Sequence, residues 1–232
     1  MFAENRHTTH YRMRLTGVII MLAALQSILG GCSVSSVPRA TFTATSLAED
    51  PASLAIVLGE GCYAAQPAET SFYLSNRTLE ELTSGDVRDG IILHAQLLWK
   101  PKPGSTPVDP TATNVVLRMV LITQGQLGIY GGAGFAWPNG TAGKSAMSLE
   151  VVGSTLTLLQ STEGFRDLLS PFVMIGTLQA PLKPVETLRF RQASSQLVTD
   201  RLGKTQWVQS HPDRPEPISS TQAMSTLAIS ID

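Results

Sequence analysis

Residues 91–99 constrain the fold more than any other stretch of this 232-residue chain. Ile91, Leu93, Ala95, Leu97 and Trp99 alternate with Ile92, His94, Gln96 and Leu98. Side chains of an extended segment point to opposite faces in turn, so this period of two predicts a strand with one buried face. Neighbouring stretches carry related signals. Residues 114–123 are almost wholly apolar and branched, and Gln124-Gly125 separates them from 126–130 as in a tight hairpin. Segments 147–152 and 155–160 flank Gly153-Ser154, where glycine at the first central position suits a type II′ turn. Residues 172–180 form a further candidate strand after a short helical turn at 163–169. Upstream, residues 53–58 are a short apolar run, strand or helix, and 70–74 a strand. Thr78-Leu79-Glu80-Glu81 matches a capping box, so two helical turns closed by Gly85 are expected there. Residues 185–202 make the clearest helix, with Val185, Leu188, Leu197, Val198 and Leu202 on one face and Gly203 as its stop. The prediction is an α+β fold: a mainly antiparallel sheet, sandwich or half-barrel, with one C-terminal helix packed on it.

The N-terminus carries an address. Arg6, Arg12 and Arg14 precede an apolar stretch, 15–29, which ends in Leu29-Gly30-Gly31-Cys32. The stretch is short for a bilayer span of about 20 residues, and Gln26 and Ser27 interrupt it. A basic segment, an apolar segment and two small residues before a cysteine, in that order, resemble a bacterial lipoprotein signal peptide with its lipobox. The resemblance covers residues 1–32. It implies that Cys32 is the lipidation site, that cleavage precedes it, and that acyl chains such as palmitate anchor the chain to a membrane. Ser33, where an Asp would retain such a protein at the inner membrane, implies the periplasmic side of the outer membrane.

The expected organisation follows. Residues 1–31 are the signal peptide, 32–53 a flexible tether rich in Ser, Thr, Ala and Pro, 54–204 one globular domain, and 205–232 a loose tail. The tail holds Pro212, Pro215 and Pro217, with a weak last strand at 224–231. About 200 residues remain after the leader, enough to bury a core. With Cys32 acylated, Cys62 is the one remaining thiol, so no intramolecular disulfide forms and the apolar core must hold the fold. Charged residues make up 15% of the chain, against the usual quarter, with no basic stripe to hold nucleic acid.

No motif implies catalysis, a cofactor or a metal. Gly143-Lys144-Ser145 has Pro138 where a phosphate-binding loop needs glycine, and the residues after it read as a strand. Ser145 also lacks the final glycine of a nucleophile elbow. Gly131-Gly132-Ala133-Gly134 lacks dinucleotide-binding spacing and reads as a bulge, or as a ligand-contacting loop flanked by Tyr130, Phe135 and Trp137. Cys62 with His94 as its base lacks any hydrolase signature and reads as a buried inert thiol. His94 and His211 are too few for zinc, and Glu80-Glu81 with Asp86 and Asp89 read as solvated helix-end residues. Two functions are expected: a non-catalytic envelope lipoprotein that binds another envelope protein or a wall polymer, or an anchored hydrolase whose residues are scattered along the chain.

Overall fold

The computed structural model describes residues 39–67, 69–101 and 112–204. Cys32, the leader, His211, the tail and its strand at 224–231 lie outside the described residues. Among the described residues, β1 (Ala40–Ser46), β2 (Ser53–Leu58), β3 (Glu60–Ala65), β4 (Thr70–Ser75), β5 (Gly90–Leu97), β6 (Val115–Thr123), β7 (Gln126–Asn139), β8 (Ala146–Ser161) and β9 (Phe172–Pro181) form one sheet. Its order is β2-β1-β9-β8-β7-β6-β5-β4-β3, antiparallel at every ladder. Helix α1 (Leu79–Ser84) follows β4, and α2 (Pro184–Leu202) follows β9. The predicted class holds: the sheet is a half-barrel with the C-terminal helix against it. Its two edge strands, β2 and β3, are separated in sequence by Gly59 alone. Tyr63 on β3 bridges in parallel to Leu182, just beyond β9, and accepts a backbone hydrogen bond from Lys183 N at 3.0 Å. The Tyr63 hydroxyl donates to the carbonyl of Lys144 in the β7–β8 connection.

Alternation along the strands builds two cores. One face of every strand supplies the inner cluster, with Phe42, Tyr63, Phe72, Leu93, Leu117, Tyr130 and Phe172 at its centre. The half-barrel is therefore filled by side chains. On the other face, Cys62, Tyr73, Ile92, Val120 and Ile129 share a second cluster with Leu82 of α1 and Phe190, Ala193, Leu197 and Val198 of α2. Burying a phenylalanine such as Phe190 contributes about 1.5–3 kcal/mol. β5 is thus buried on both faces rather than one, because α2 covers the face that carries Ile92 and His94.

Local chemistry fixes several joints as expected. Gln124 and Gly125 have φ of 52° and 80°, the paired positive values of the type I′ turn that joins twisted strands. The Thr78 capping box forms in full: Glu81 N donates to Thr78 Oγ1, and Thr78 N donates to the Glu81 carboxylate. α2 ends at Gly203, whose N–H bonds Thr199 O. Arg201 then fastens that end, donating to the carbonyls of Gly125, Gly85 and Val87.

Five expectations need correction. The sheet begins at Ala40, inside the segment expected to be tether. Ala40, Phe42, Ala44 and Ser46 point inward, and Thr41, Thr43 and Thr45 point out. β3 occupies the Gly-broken run after Leu58, where no strand was expected. Gly153-Ser154 is no hairpin turn: β8 runs through it with β7 and β9 on either side, and the ladder shifts register there as a bulge. Residues 163–169 contain no helical turn, because Asp167 Oδ1 accepts from Leu169 N and Ser170 N and holds an irregular loop. On α2 the buried stripe is Thr187, Phe190, Ser194, Leu197 and Val198, whereas Val185 and Leu188 are exposed.

Candidate functional site

His94 sits in a cross-strand row between Tyr73 on β4 and Arg118 on β6. Its ring lies 4.5 Å from that of Tyr73, centroid to centroid, and is 3% exposed. Burial, then the Arg118 and Arg191 guanidiniums, pushes its pKa down to about 3. A neutral imidazole with so little basicity is a poor general base. The recess beside it, lined by Glu69, Ser71, Gln96, Thr187 and Arg191, has a volume of about 90 Å³. That is room for about three waters at about 30 Å³ each. Glu69 is taken up by a hydrogen bond from the Gln96 amide.

Cys62 does not meet His94. It pairs with Tyr73 on β4, and Tyr73 pairs with His94 on β5, so the tyrosine stands between them. Two strand spacings separate them, about 10 Å. The thiol is fully buried, and burial pushes its pKa up to about 11 against a lowering from the Thr187 hydroxyl. It is an inert core residue. Cys62→Ala should therefore lower stability by about 1–2 kcal/mol. The native thiol should resist iodoacetamide until denaturant unfolds the chain. Fast labelling of the folded protein would contradict this.

The remaining motifs serve the fold. Gly143-Lys144-Ser145 lies in the β7–β8 connection, and a strand rather than a helix follows it. Glu81 is spent on the α1 cap, and Asp89 Oδ1 accepts from Gln124 N at 2.9 Å. Phe135 packs edge-on against Trp99 and Trp137, so these rings occupy one another. Gly131-Gly132-Ala133-Gly134 lies inside β7, opposite residues 154–157 of β8, where the two backbones approach closely. Among the described residues no group of three or more His, Cys, Asp or Glu side chains could hold a metal.

The open end of the half-barrel is different. Leu54 at the start of β2, Leu121 near the end of β6, Tyr130 of β7, and Phe165, Leu168 and Leu169 of the β8–β9 loop surround a recess of about 570 Å³. Leu121 and Phe165 pack against the inner core, so that core forms the floor. Tyr130 Oη donates to Asp167 Oδ1 at 2.8 Å, which ties the loop to the floor. Burial, and secondarily Asp167, raises the Tyr130 pKa, so the phenol keeps its proton. Leu168 is 63% exposed and Leu54 37%; Leu47, whose N–H bonds Pro171 O after the β8–β9 loop, is 57% exposed. Sequence reasoning missed this site because its walls come from β2, the β6–β7 hairpin and the β8–β9 loop, which are far apart in the chain. A run such as Phe165, Leu168 and Leu169 beside a proline-ended loop was the one local hint. No known protein family, curated protein or solved structure matches this chain.

Proposed function

We propose that this chain is a lipid-anchored bacterial envelope lipoprotein whose domain is a non-catalytic binding module acting through its open end. The observation that carries the binding role is the contrast between two regions. Leucines stand exposed around an apolar recess, while the groups able to do chemistry are buried or engaged in the fold. A hydrolase needs a nucleophile beside a base, and His94 faces a tyrosine and two guanidiniums instead. The anchor rests on Leu29-Gly30-Gly31-Cys32, with Ser33 favouring the outer membrane. Among the described residues no helix is long and apolar enough to cross a membrane. Two or three acyl chains, each methylene worth about 0.8 kcal/mol when buried, would hold the chain stably. Cys32→Ser should abolish metabolic labelling with palmitate and leave an unprocessed precursor. Unchanged labelling would refute the anchor.

A further inference from the structure

We infer that the open-end recess holds the hydrocarbon chain of a single fatty carboxylate, with its head group at Arg166. This inference deepens the binding-module reading above and rests on it. Leu54, Leu121, Phe165, Leu168 and Leu169 make the larger part of the walls apolar, and Ser53, Thr123, Gln124 and Gln126 line the remainder. At the floor, Tyr130 donates to Asp167, the same Asp167 oxygen accepts two backbone N–H groups, and Gln126 Oε1 accepts from Thr162 Oγ1, so these groups are engaged in the fold. Volume limits the guest. A methylene is about the size of a water, near 30 Å³, so a recess of about 570 Å³ has room for at most about 19 methylenes, and because it opens to solvent it suits one chain of about 12–16 carbons. The two acyl chains of a phospholipid would need roughly twice that space. Charge sets the head group. Arg166 lines the recess, is exposed, and has no acidic partner among the described residues. Glu163 on the same loop does not line the recess.

The test is photolabelling of the full chain held in phosphatidylcholine nanodiscs. Dodecanoic acid carrying a terminal diazirine is added, illuminated, and its adducts are mapped by peptide mass spectrometry. Adducts should concentrate on residues 162–170 and the start of β2, and saturate at one per chain. Leu168→Asp places a charge at the recess and should cut labelling by at least about tenfold. Leu168 is exposed, so the fold should tolerate the change. Leu188→Asp, on the exposed face of α2, should leave labelling unchanged. Arg166→Gln should weaken labelling by the acid several-fold and leave labelling by the matching diazirine alcohol unchanged. Adducts spread over Val57, Ile175 and Leu188, or Leu168→Asp labelled like the parent, would overturn the inference. So would equal labelling of the recess by a diazirine built into the phosphatidylcholine, which would make the guest a membrane lipid, or cross-linked pairs of chains, which would make it a second copy. A chain that fails to join the nanodiscs refutes the anchor alone, because the labelling pattern still reports on the recess.

Discussion

Gly132→Ala should destabilise the domain by about 3 kcal/mol or more, at the upper end of what overpacking costs. A Cβ at Gly132 would lie 1.9 Å from the carbonyl oxygen of Thr155, 2.8 Å from its carbonyl carbon and 2.9 Å from Leu156 Cα. All three are backbone atoms of β8, paired with β7 on one side and β9 on the other, so no flexible side chain can swing away. Relief requires parting two central strands. Gly153→Ala is the matched control. A Cβ there meets nothing within 4 Å, so the change should be neutral or stabilise by about 0.5 kcal/mol through the unfolded chain. Urea denaturation of both variants decides the matter. Equal midpoints for Gly132→Ala and the parent would mean that β7 and β8 do not approach as described.

Acid should weaken the fold through His94 well before most carboxylates titrate. The imidazole has an ordinary value of 6.5 and is held at about 3 in the folded protein. The unfolded chain therefore takes up a proton below about pH 6.5 that the native state refuses. The stabilisation is complete above that value and falls as pH drops towards 3, by a little over about 1 kcal/mol per pH unit. Arg118 and Arg191 face the ring and oppose protonation, with Tyr73 stacked beside it. Between pH 7 and pH 4.5 the loss should reach about 2–3 kcal/mol. His94→Gln should lower stability at pH 7 and flatten that slope. Parallel pH profiles for the parent and the variant would show that another group governs acid sensitivity.

Features set by two to four consecutive residues were legible in the sequence. The Gln124-Gly125 turn, the Thr78 capping box and the Gly203 stop each depend on local backbone geometry, and each was found where expected. Features set by neighbours in space were not. β1 hid because threonine can alternate as the solvent face of a strand or fill a tether, and only pairing with β2 and β9 decides. Gly153-Ser154 fits a turn and a bulge equally well, and the continuous ladders around it choose the bulge. Ile92 and His94 belonged to the face expected to lie outside the core until α2 covered them. The exposed Val185 and Leu188 show the converse: an apolar residue on a helix does not by itself locate the buried stripe. The open-end recess is the extreme case, since β2, the β6–β7 hairpin and the β8–β9 loop that wall it are far apart in sequence.

The pairing of β1 with β9 also dictates a folding order. From β3 onward each strand can zip to the one just synthesised, but the register that joins Ser46 to Phe172 waits for almost the whole domain to exist. Loop closure of that length carries an entropic penalty that the meander steps avoid, so the β1–β9 pairing should set the folding rate. Until then β1 can pair with β2 alone, and its other edge, with Phe42 not yet covered by the core, is a template for stray strands. A nascent chain halted before residue 172 is therefore the species a chaperone would need to hold.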